Sequence, residues 1–160
     1  IIVHRTLGVR LKDWSIEILG TDISERALNI ANTGEYSSYA MRTTPELVKS
    51  RYFKEQNGIW SVDPEIRSMV NFELHNLKDR LAAKRHGTWD VIFCRNVMIY
   101  FDDEMKKRVV GMFGDQIASD GTLFIGHSEN IRNVNDRFEP LSHVQGFCYR
   151  PIGAASSAAA

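Results

Sequence analysis

The chain has 160 residues, of which 43% are hydrophobic and 25% are charged, a balance typical of one globular domain. Its 20 basic and 20 acidic side chains cancel, which argues against a strongly basic nucleic-acid-binding protein. No apolar run approaches the length of a transmembrane helix, about 18 residues, so no membrane span is expected.

Strands and helices alternate in the first half of the predicted structure. Residues 16–21 predict the first strong strand, and Ser24 is placed as the N-cap of a helix over 25–32 that Gly34 ends. The pattern then predicts a helix from 45 to 53, a hairpin at Asn57-Gly58 with its return strand at 59–62, a short helix over 63–69 and a strand at 70–74.

The second half begins with the nearly continuous apolar run 89–94, which predicts a strand covered on both faces. Asp102 or Asp103 caps a long helix, and Asp120-Gly121 predicts a turn into a buried strand at 122–126. The predicted apolar stripe of that helix consists of Met105, Val109, Met112, Phe113 and Ile117. Runs at 138–141 and 144–150 predict a closing antiparallel hairpin. The alternation predicts a doubly wound α/β sheet, which the hairpin makes mixed.

The two cysteines, Cys94 and Cys148, each lie inside an apolar run. We expect two buried, reduced thiols, as in a cytoplasmic protein, with a disulfide as the alternative. The cysteines and histidines show no metal-ligand spacing, so we expect no metal site and treat His75 and His127 as structural or exposed.

Polar residues follow three of the predicted strands, at the end where open α/β sheets bind ligands. Asp22 follows the first strong strand, where a carboxylate can accept hydrogen bonds from both hydroxyls of a ribose; a capping role beside Ser24 is the alternative. Asn76 follows the strand at 70–74, with a turn role as its alternative. Arg95-Asn96 follows the strand at 89–94. Because an unpaired buried guanidinium is unfavourable, Arg95 is expected to meet a ligand or a salt-bridge partner rather than the core.

A histidine and a serine are adjacent in Gly126-His127-Ser128-Glu129. Consecutive residues of a strand point to opposite faces, so we do not expect a nucleophile–base pair here. A hydrolase is therefore a poor interpretation.

Several segments together resemble one family, the CheR-type methyltransferases that modify chemotaxis receptors. Residues 93–102, FCRNVMIYFD, are similar to the family signature of the same letters. Residues 18–24 resemble its ATDIS segment, 126–130 its GHSE element and 136–138 the DRF that follows. The resemblance covers about 16–150, and we expect one such domain over 1–150 followed by a flexible tail at 151–160.

This resemblance implies a class I, Rossmann-like methyltransferase fold that binds S-adenosylmethionine. It implies that Asp22 binds the ribose, that Asn76 and Leu77 flank the adenine, and that Arg95 and Asn96 line the pocket beneath the methionine end. The family transfers the methyl group to glutamate side chains on cytoplasmic helices of chemoreceptors, which gives methyl esters and S-adenosylhomocysteine. Because a carboxylate attacks a sulfonium methyl group without a metal or a strong base, no catalytic residue is assigned.

The family's glycine-rich cofactor loop, which follows the central first strand of the sheet, has no counterpart before Ile1. The resemblance therefore implies that this strand is missing and that the 160 residues alone are inactive and bind cofactor weakly or not at all. Two apolar sheet edges would be left open. We expect the strands at 16–21 and 89–94 to pair directly, or another segment or a second copy to fill the gap. Residues 1–3 are one candidate, although their family position marks them as a helix remnant.

Two other interpretations stay open. One is a class I methyltransferase that acts on a small molecule or a nucleic acid, although the amino-methylating enzymes favour Pro-Pro-aromatic where this chain has Val97-Met98-Ile99. The other is a degenerate, non-enzymatic module kept for protein interaction in signalling.

Overall fold

The computed structural model describes residues 1–134, 136–141 and 147–153, and the chain divides into two compact units, Ile1–Asn76 and Leu77–Ala160. Among the described residues, no helix combines the length and the apolar character needed to span a membrane. A single domain over 1–150 with a tail at 151–160 stays a prediction.

The first unit combines a parallel strand pair with a small antiparallel sheet. The strand β1 runs parallel to β5 with Asp22 opposite Leu74, and β2, β4 and β3 form the antiparallel sheet in that order. The elements in chain order are α1 (Ile2–Leu7), a 3-10 helix (Gly8–Asp13), β1 (Ile18–Asp22), α2 (Glu25–Thr33), β2 (Glu35–Ser37), α3 (Glu46–Tyr52), β3 (Phe53–Gln56), β4 (Ile59–Val62), α4 (Pro64–Ser68) and β5 (Val70–Leu74).

Local signals in the first unit act as predicted. The Ser24 hydroxyl accepts a hydrogen bond from the Ala27 amide at 3.3 Å and caps α2, and Gly34, with φ 65°, ends that helix. Asn57 and Gly58 both have positive φ, 54° and 81°, as a two-residue hairpin turn requires. The first strand begins at Ile18 rather than at residue 16, and it includes Asp22 as its last residue.

The second unit is built on a four-stranded mixed sheet in the order β6-β7-β9-β8. Strand β6 is parallel to β7, and β9 is antiparallel to both of its neighbours, so the predicted mixed sheet and closing hairpin are confirmed. Residues 142–146 of the predicted hairpin lie outside the described residues. The elements are α5 (Arg80–Ala83), a 3-10 helix (Lys84–His86), β6 (Trp89–Cys94), a 3-10 helix (Met98–Tyr100), α6 (Asp103–Gln116), β7 (Ile117–Ile125), β8 (Phe138–Pro140) and β9 (Cys148–Pro151).

The core of the second unit lies between α6 and one face of this sheet. Val109 and Val110 of α6 and Leu123 and Ile125 of β7 are almost completely buried in one hydrophobic cluster. The carboxylate of Asp102 caps α6 by accepting a hydrogen bond from the Met105 amide at 2.7 Å. The predicted apolar stripe is correct up to Phe113. Ile117 is wrongly included, because its extended backbone (φ −94°, ψ 140°) already begins β7.

The predicted turn at Asp120-Gly121 is wrong, because both residues lie inside β7. Trp89 is opposite Ile117 and Val91 is opposite Thr122, so β7 carries extra residues in a bulge. A Cβ at Gly121 would lie 2.9 Å from the Asp90 carbonyl oxygen. Glycine therefore lets the bulged strand approach its neighbour, and a turn is not needed to explain this residue.

Strand β6 is covered on one face rather than on both. Cys94 is buried in the cluster beneath α6, but Val91 is 47% exposed and Phe93 is 69% exposed. Phe93 stacks on Phe124 of β7, with ring centroids 4.7 Å apart. The apolar run correctly predicts a strand, whereas its composition does not determine what covers the second face.

Strands β1 and β6 each have one paired edge. Within the described residues, β5 is the partner of β1 and β7 is the partner of β6, so the expected direct pairing of these two strands is wrong. Ile2 and Val3 belong to α1, which agrees with the helix-remnant interpretation and excludes them as the missing strand.

Candidate functional site

In the first unit, Asp22 and Asn76 lie at the same end of the parallel pair β1–β5. The His75 amide donates a hydrogen bond to the Asp22 carbonyl oxygen at 3.0 Å, and Asn76 is the next residue. Both Asp22 and Asn76 are exposed. The sequence therefore predicts correctly that these polar side chains follow strand carboxyl ends in one neighbourhood.

The Asp22 carboxylate is only partly used by its own loop. Its Oδ1 accepts a hydrogen bond from the Ser24 amide at 2.8 Å, while Ser24 itself caps α2. Among the described residues, Oδ2 of Asp22 has no hydrogen bond. The side chain that caps α2 is therefore Ser24 and not Asp22. One carboxylate oxygen of Asp22 is open to a hydroxyl donor such as a ribose.

In the second unit, Leu77 packs half-buried against the hydrophobic cluster and lines a cleft of about 520 Å³. Charged side chains also line this cleft, namely Lys78, Arg80, Asp102 and Arg108. Tyr100 and Phe101 contribute to this cleft, together with Met105 and Met112 of α6. Cavities of several hundred cubic ångströms accept nucleoside-sized ligands. An apolar wall at Leu77 suits the face of a planar base.

Arg95 and Asn96 form the loop directly after β6, and both side chains are exposed. Asn96 has a left-handed backbone with φ 62°, a conformation that Asn tolerates better than most residues. The chain then enters the 3-10 helix Met98–Tyr100. The exposure of the Arg95 side chain agrees with the expectation that this residue does not enter the core.

Glu129 holds this loop through four backbone hydrogen bonds. Its Oε2 accepts from the amides of Asn96 at 2.9 Å and Gly126 at 2.6 Å. Its Oε1 accepts from the amides of Val97 at 3.0 Å and Met98 at 2.7 Å. One carboxylate, itself only 5% exposed, thus joins the loop after β6 to the turn after β7.

The charge of Glu129 is stabilised by these contacts. Burial alone raises the pKa of this carboxyl, but the four N–H donors outweigh burial and hold the pKa below its ordinary value. Nearby, burial and the Glu129 charge raise the pKa of the Cys94 thiol to about 12. Cys94 is therefore a neutral thiol. Both cysteines are buried and unpaired, as predicted.

Gly126 allows the carboxylate to approach the loop. A Cβ at this position would lie 2.6 Å from Asn96 Oδ1 and 2.7 Å from Glu129 Oε2. His127 and Ser128 are exposed residues of a turn. The prediction that they lie in a strand and point to opposite faces is therefore wrong. The sequence reasoning assigns no role to Glu129 or Gly126. The sequence signal that could have identified these two residues is their position in the segment that resembles the GHSE element.

The geometry defines a class of protein. Each unit contains a parallel strand pair, and polar residues lie at the carboxyl ends of these strands, Asp22 and Asn76 in the first unit and Arg95 and Asn96 in the second. Open α/β sheets, including those of class I methyltransferase domains, bind their ligands at this end of the strands.

Comparison with known proteins gives the family. Residues 2–147 match the family model described as the S-adenosylmethionine-binding domain of CheR methyltransferase. The chain is 38% identical over 138 residues to chemotaxis protein methyltransferase 1 of Pseudomonas aeruginosa, covering 84% of the chain and 49% of that protein. It is 34% identical over 139 residues to chemotaxis protein methyltransferase 2 of Vibrio cholerae, covering 86% and 47%. The chain belongs to the CheR methyltransferase family and spans about half the length of the curated relatives it matches.

The family's domain binds S-adenosylmethionine, and each unit, taken by itself, contains a group suited to the adenosine part of that molecule. Asp22 offers an open carboxylate oxygen at a strand end, and Leu77 offers an apolar wall beside the cleft. Beside the Arg95–Asn96 loop, the Cys94 thiol is neutral and the Glu129 carboxylate is occupied by backbone amides.

Proposed function

We propose that this protein transfers the methyl group of S-adenosylmethionine to glutamate side chains on cytoplasmic helices of chemoreceptors. The products are glutamyl methyl esters and S-adenosylhomocysteine, and the reaction belongs to the cytoplasm. Support comes from the relatives, which are named chemotaxis protein methyltransferases. The observation that carries the proposal is the loop of residues 95–98, inside the family signature, which Glu129 holds at the carboxyl end of β6.

We propose the ligand contacts that the family resemblance implies. Asp22 binds the ribose hydroxyls through its open carboxylate oxygen, and Asn76 and Leu77 flank the adenine. Arg95 and Asn96 line the pocket beneath the methionine end. When bound, S-adenosylmethionine supplies a methyl group on a sulfonium leaving group.

Under this proposal, the protein contributes alignment and exclusion of water rather than acid–base chemistry. The substrate carboxylate is already ionised at neutral pH, so its attack needs no general base. Holding the carboxylate in line with the methyl group accounts for most of the rate increase. No side chain is assigned a catalytic role.

A labelling experiment tests this function. A chimera that completes the chain with the remaining half of the Pseudomonas aeruginosa relative is incubated with methyl-labelled S-adenosylmethionine and a receptor cytoplasmic fragment. We expect receptor labelling that mild alkali releases as methanol, the signature of an ester. Asp22→Ala in the chimera should lose most of the labelling, whereas Asp63→Ala, which removes the cap of α4, should keep it.

The 160 residues alone serve as the second arm of this experiment. We propose that they do not label the receptor, because nothing in the sequence resembles the family's glycine-rich cofactor loop. Receptor binding by the chimera without any label transfer would instead favour a non-enzymatic interaction module. Label on a nucleic acid or a small molecule would favour a methyltransferase of another substrate class.

A further inference from the structure

The loop after β6 presents its backbone N–H groups to one point. Asn96 is left-handed (φ 62°) and Val97 follows in a right-handed conformation (φ −116°, ψ −48°). Alternation of this kind turns successive N–H groups toward a common centre and forms an anion-binding cradle. The amides of Asn96, Val97 and Met98 all point at the Glu129 carboxylate.

The cradle is fully occupied from within the chain. Each Glu129 oxygen accepts two N–H groups, and the fourth donor, Gly126, belongs to the turn on the opposite side of the carboxylate. A ligand carboxylate or phosphate would have to displace this buried group to reach the same amides. The loop therefore offers the side chains of Arg95 and Asn96, and not its amides, to whatever binds at this strand end.

We propose that Glu129 is a positioning residue of the cofactor site, which fixes the backbone of residues 96–98 and so orients the side chains of Arg95 and Asn96 toward the ligand. The part of this proposal that concerns the ligand rests on the proposed function. The part that concerns the loop rests on the four hydrogen bonds alone.

The test compares variants of the 160-residue chain labelled with nitrogen-15. Glu129→Gln keeps the size of the side chain but turns an amide NH₂ toward two of the four donors. Gly126→Ala keeps the carboxylate but places a methyl group against Asn96 Oδ1 and Glu129 Oε2. Glu139→Gln is the control, because it weakens the ion pair to Arg150 within the same unit without touching the loop or the cleft beside Leu77.

Two readouts separate a positioning role from a general loss of stability. The first is amide exchange and proton shift at Asn96, Val97, Met98 and Gly126. The second is the affinity for S-adenosylhomocysteine of the same variants made in the chimera that completes the chain, measured by titration to millimolar concentration so that weak binding is recorded. In both loop variants we expect exchange of these amides to rise about tenfold or more, and affinity to fall by about the same factor. In Glu139→Gln both the amide exchange and the affinity should stay unchanged, even if the melting temperature falls.

The possible outcomes test separately whether Glu129 holds the loop and whether the loop orients side chains toward the ligand. Unchanged amide exchange in folded Glu129→Gln would overturn the role of Glu129 in holding the loop. Faster exchange with an unchanged affinity would overturn the positioning role and leave the proposed function standing. No binding by the unaltered chimera at millimolar ligand would overturn the claim that these residues form a cofactor site, and with it the ligand part of the proposal.

Discussion

The carboxylate of Glu129 lies 2.9 Å from the amide nitrogen of Asn96, although the two residues are 33 positions apart. This hydrogen bond and its three companions connect the segments that follow two adjacent parallel strands, β6 and β7. Because the Glu129 side chain is buried and negatively charged, both the local geometry and the pH dependence of stability should depend on it.

Acidification should destabilise the chain through Glu129. The pKa of this carboxyl is lower in the folded chain than its ordinary value of 4.5, so the unfolded chain binds a proton more readily. The stabilisation is therefore complete above about pH 4.5 and is lost as the pH falls through the folded-state pKa. Urea unfolding at several pH values between 7 and about 3 measures the free energy of unfolding as a function of pH. In Glu129→Gln this free energy should fall less steeply on acidification than in the unaltered chain. An equal fall in both would contradict the role assigned to Glu129.

The Glu129→Gln variant should also be less stable than the unaltered chain at pH 7. Hydrogen bonds to a charged group contribute about 1.5–3 kcal/mol each, and Glu129→Gln replaces two of the four acceptor contacts with a donor. We expect a loss of about 2–4 kcal/mol in the free energy of unfolding. Denaturant titration at pH 7 measures this loss, and a change below about 0.5 kcal/mol would show that the four bonds contribute little.

Two glycines of the second unit should respond oppositely to the same substitution. Gly126→Ala forces a methyl group to within 2.6 Å of Asn96 Oδ1 and should cost about 1–3 kcal/mol. Gly111 lies inside α6 with no atom within 4 Å of an added Cβ, so Gly111→Ala should stabilise the helix by about 0.5–1 kcal/mol. Thermal unfolding of the two variants checks the pair. Equal effects would show that the space around Gly126 is not restrictive.

The cysteines should be unreactive while the chain is folded. Burial and the Glu129 charge raise the pKa of Cys94 to about 12, and burial raises the pKa of Cys148. Since the thiolate is the reactive form, both should react with an aromatic disulfide reagent at pH 8 at the rate of unfolding. If the cysteines of the folded chain in buffer react as fast as those of the chain unfolded in urea, the prediction is contradicted. Glu129→Gln should lower the pKa of Cys94 because it removes the nearby negative charge.

Local residue chemistry accounts for what the sequence predicts well. The Ser24 cap, the left-handed Gly34, the Asn57-Gly58 turn and the Asp102 cap each depend on neighbours a few positions away, and each forms as expected. The strand ends at Asp22 and Arg95 are also predicted, because an apolar run must stop before a residue that needs water or a partner.

Features that depend on distant partners are not predicted from the residues alone. The bulge in β7 depends on the register against β6, and Asp120-Gly121 gives the same signal as a turn. The four bonds of Glu129 join residues more than 30 positions apart, apart from Gly126, and no periodic pattern marks them. The exposure of Val91 and Phe93 depends on what lies against the sheet, which the composition of the strand does not contain.

The open edges should make the 160-residue chain self-associate. Strand β6 has one unpaired edge among the described residues, and Val91 and Phe93 stand exposed on the same strand. Exposed apolar strands pair with other strands, so sedimentation should show dimers or larger species that grow with concentration. Phe93→Lys should shift the population toward monomer, because charge on an edge strand opposes pairing. Leu47→Lys is the control, since Leu47 is exposed on α3 and not on a strand. A concentration-independent monomer, or equal effects of the two lysines, would show that the edge of β6 does not mediate association.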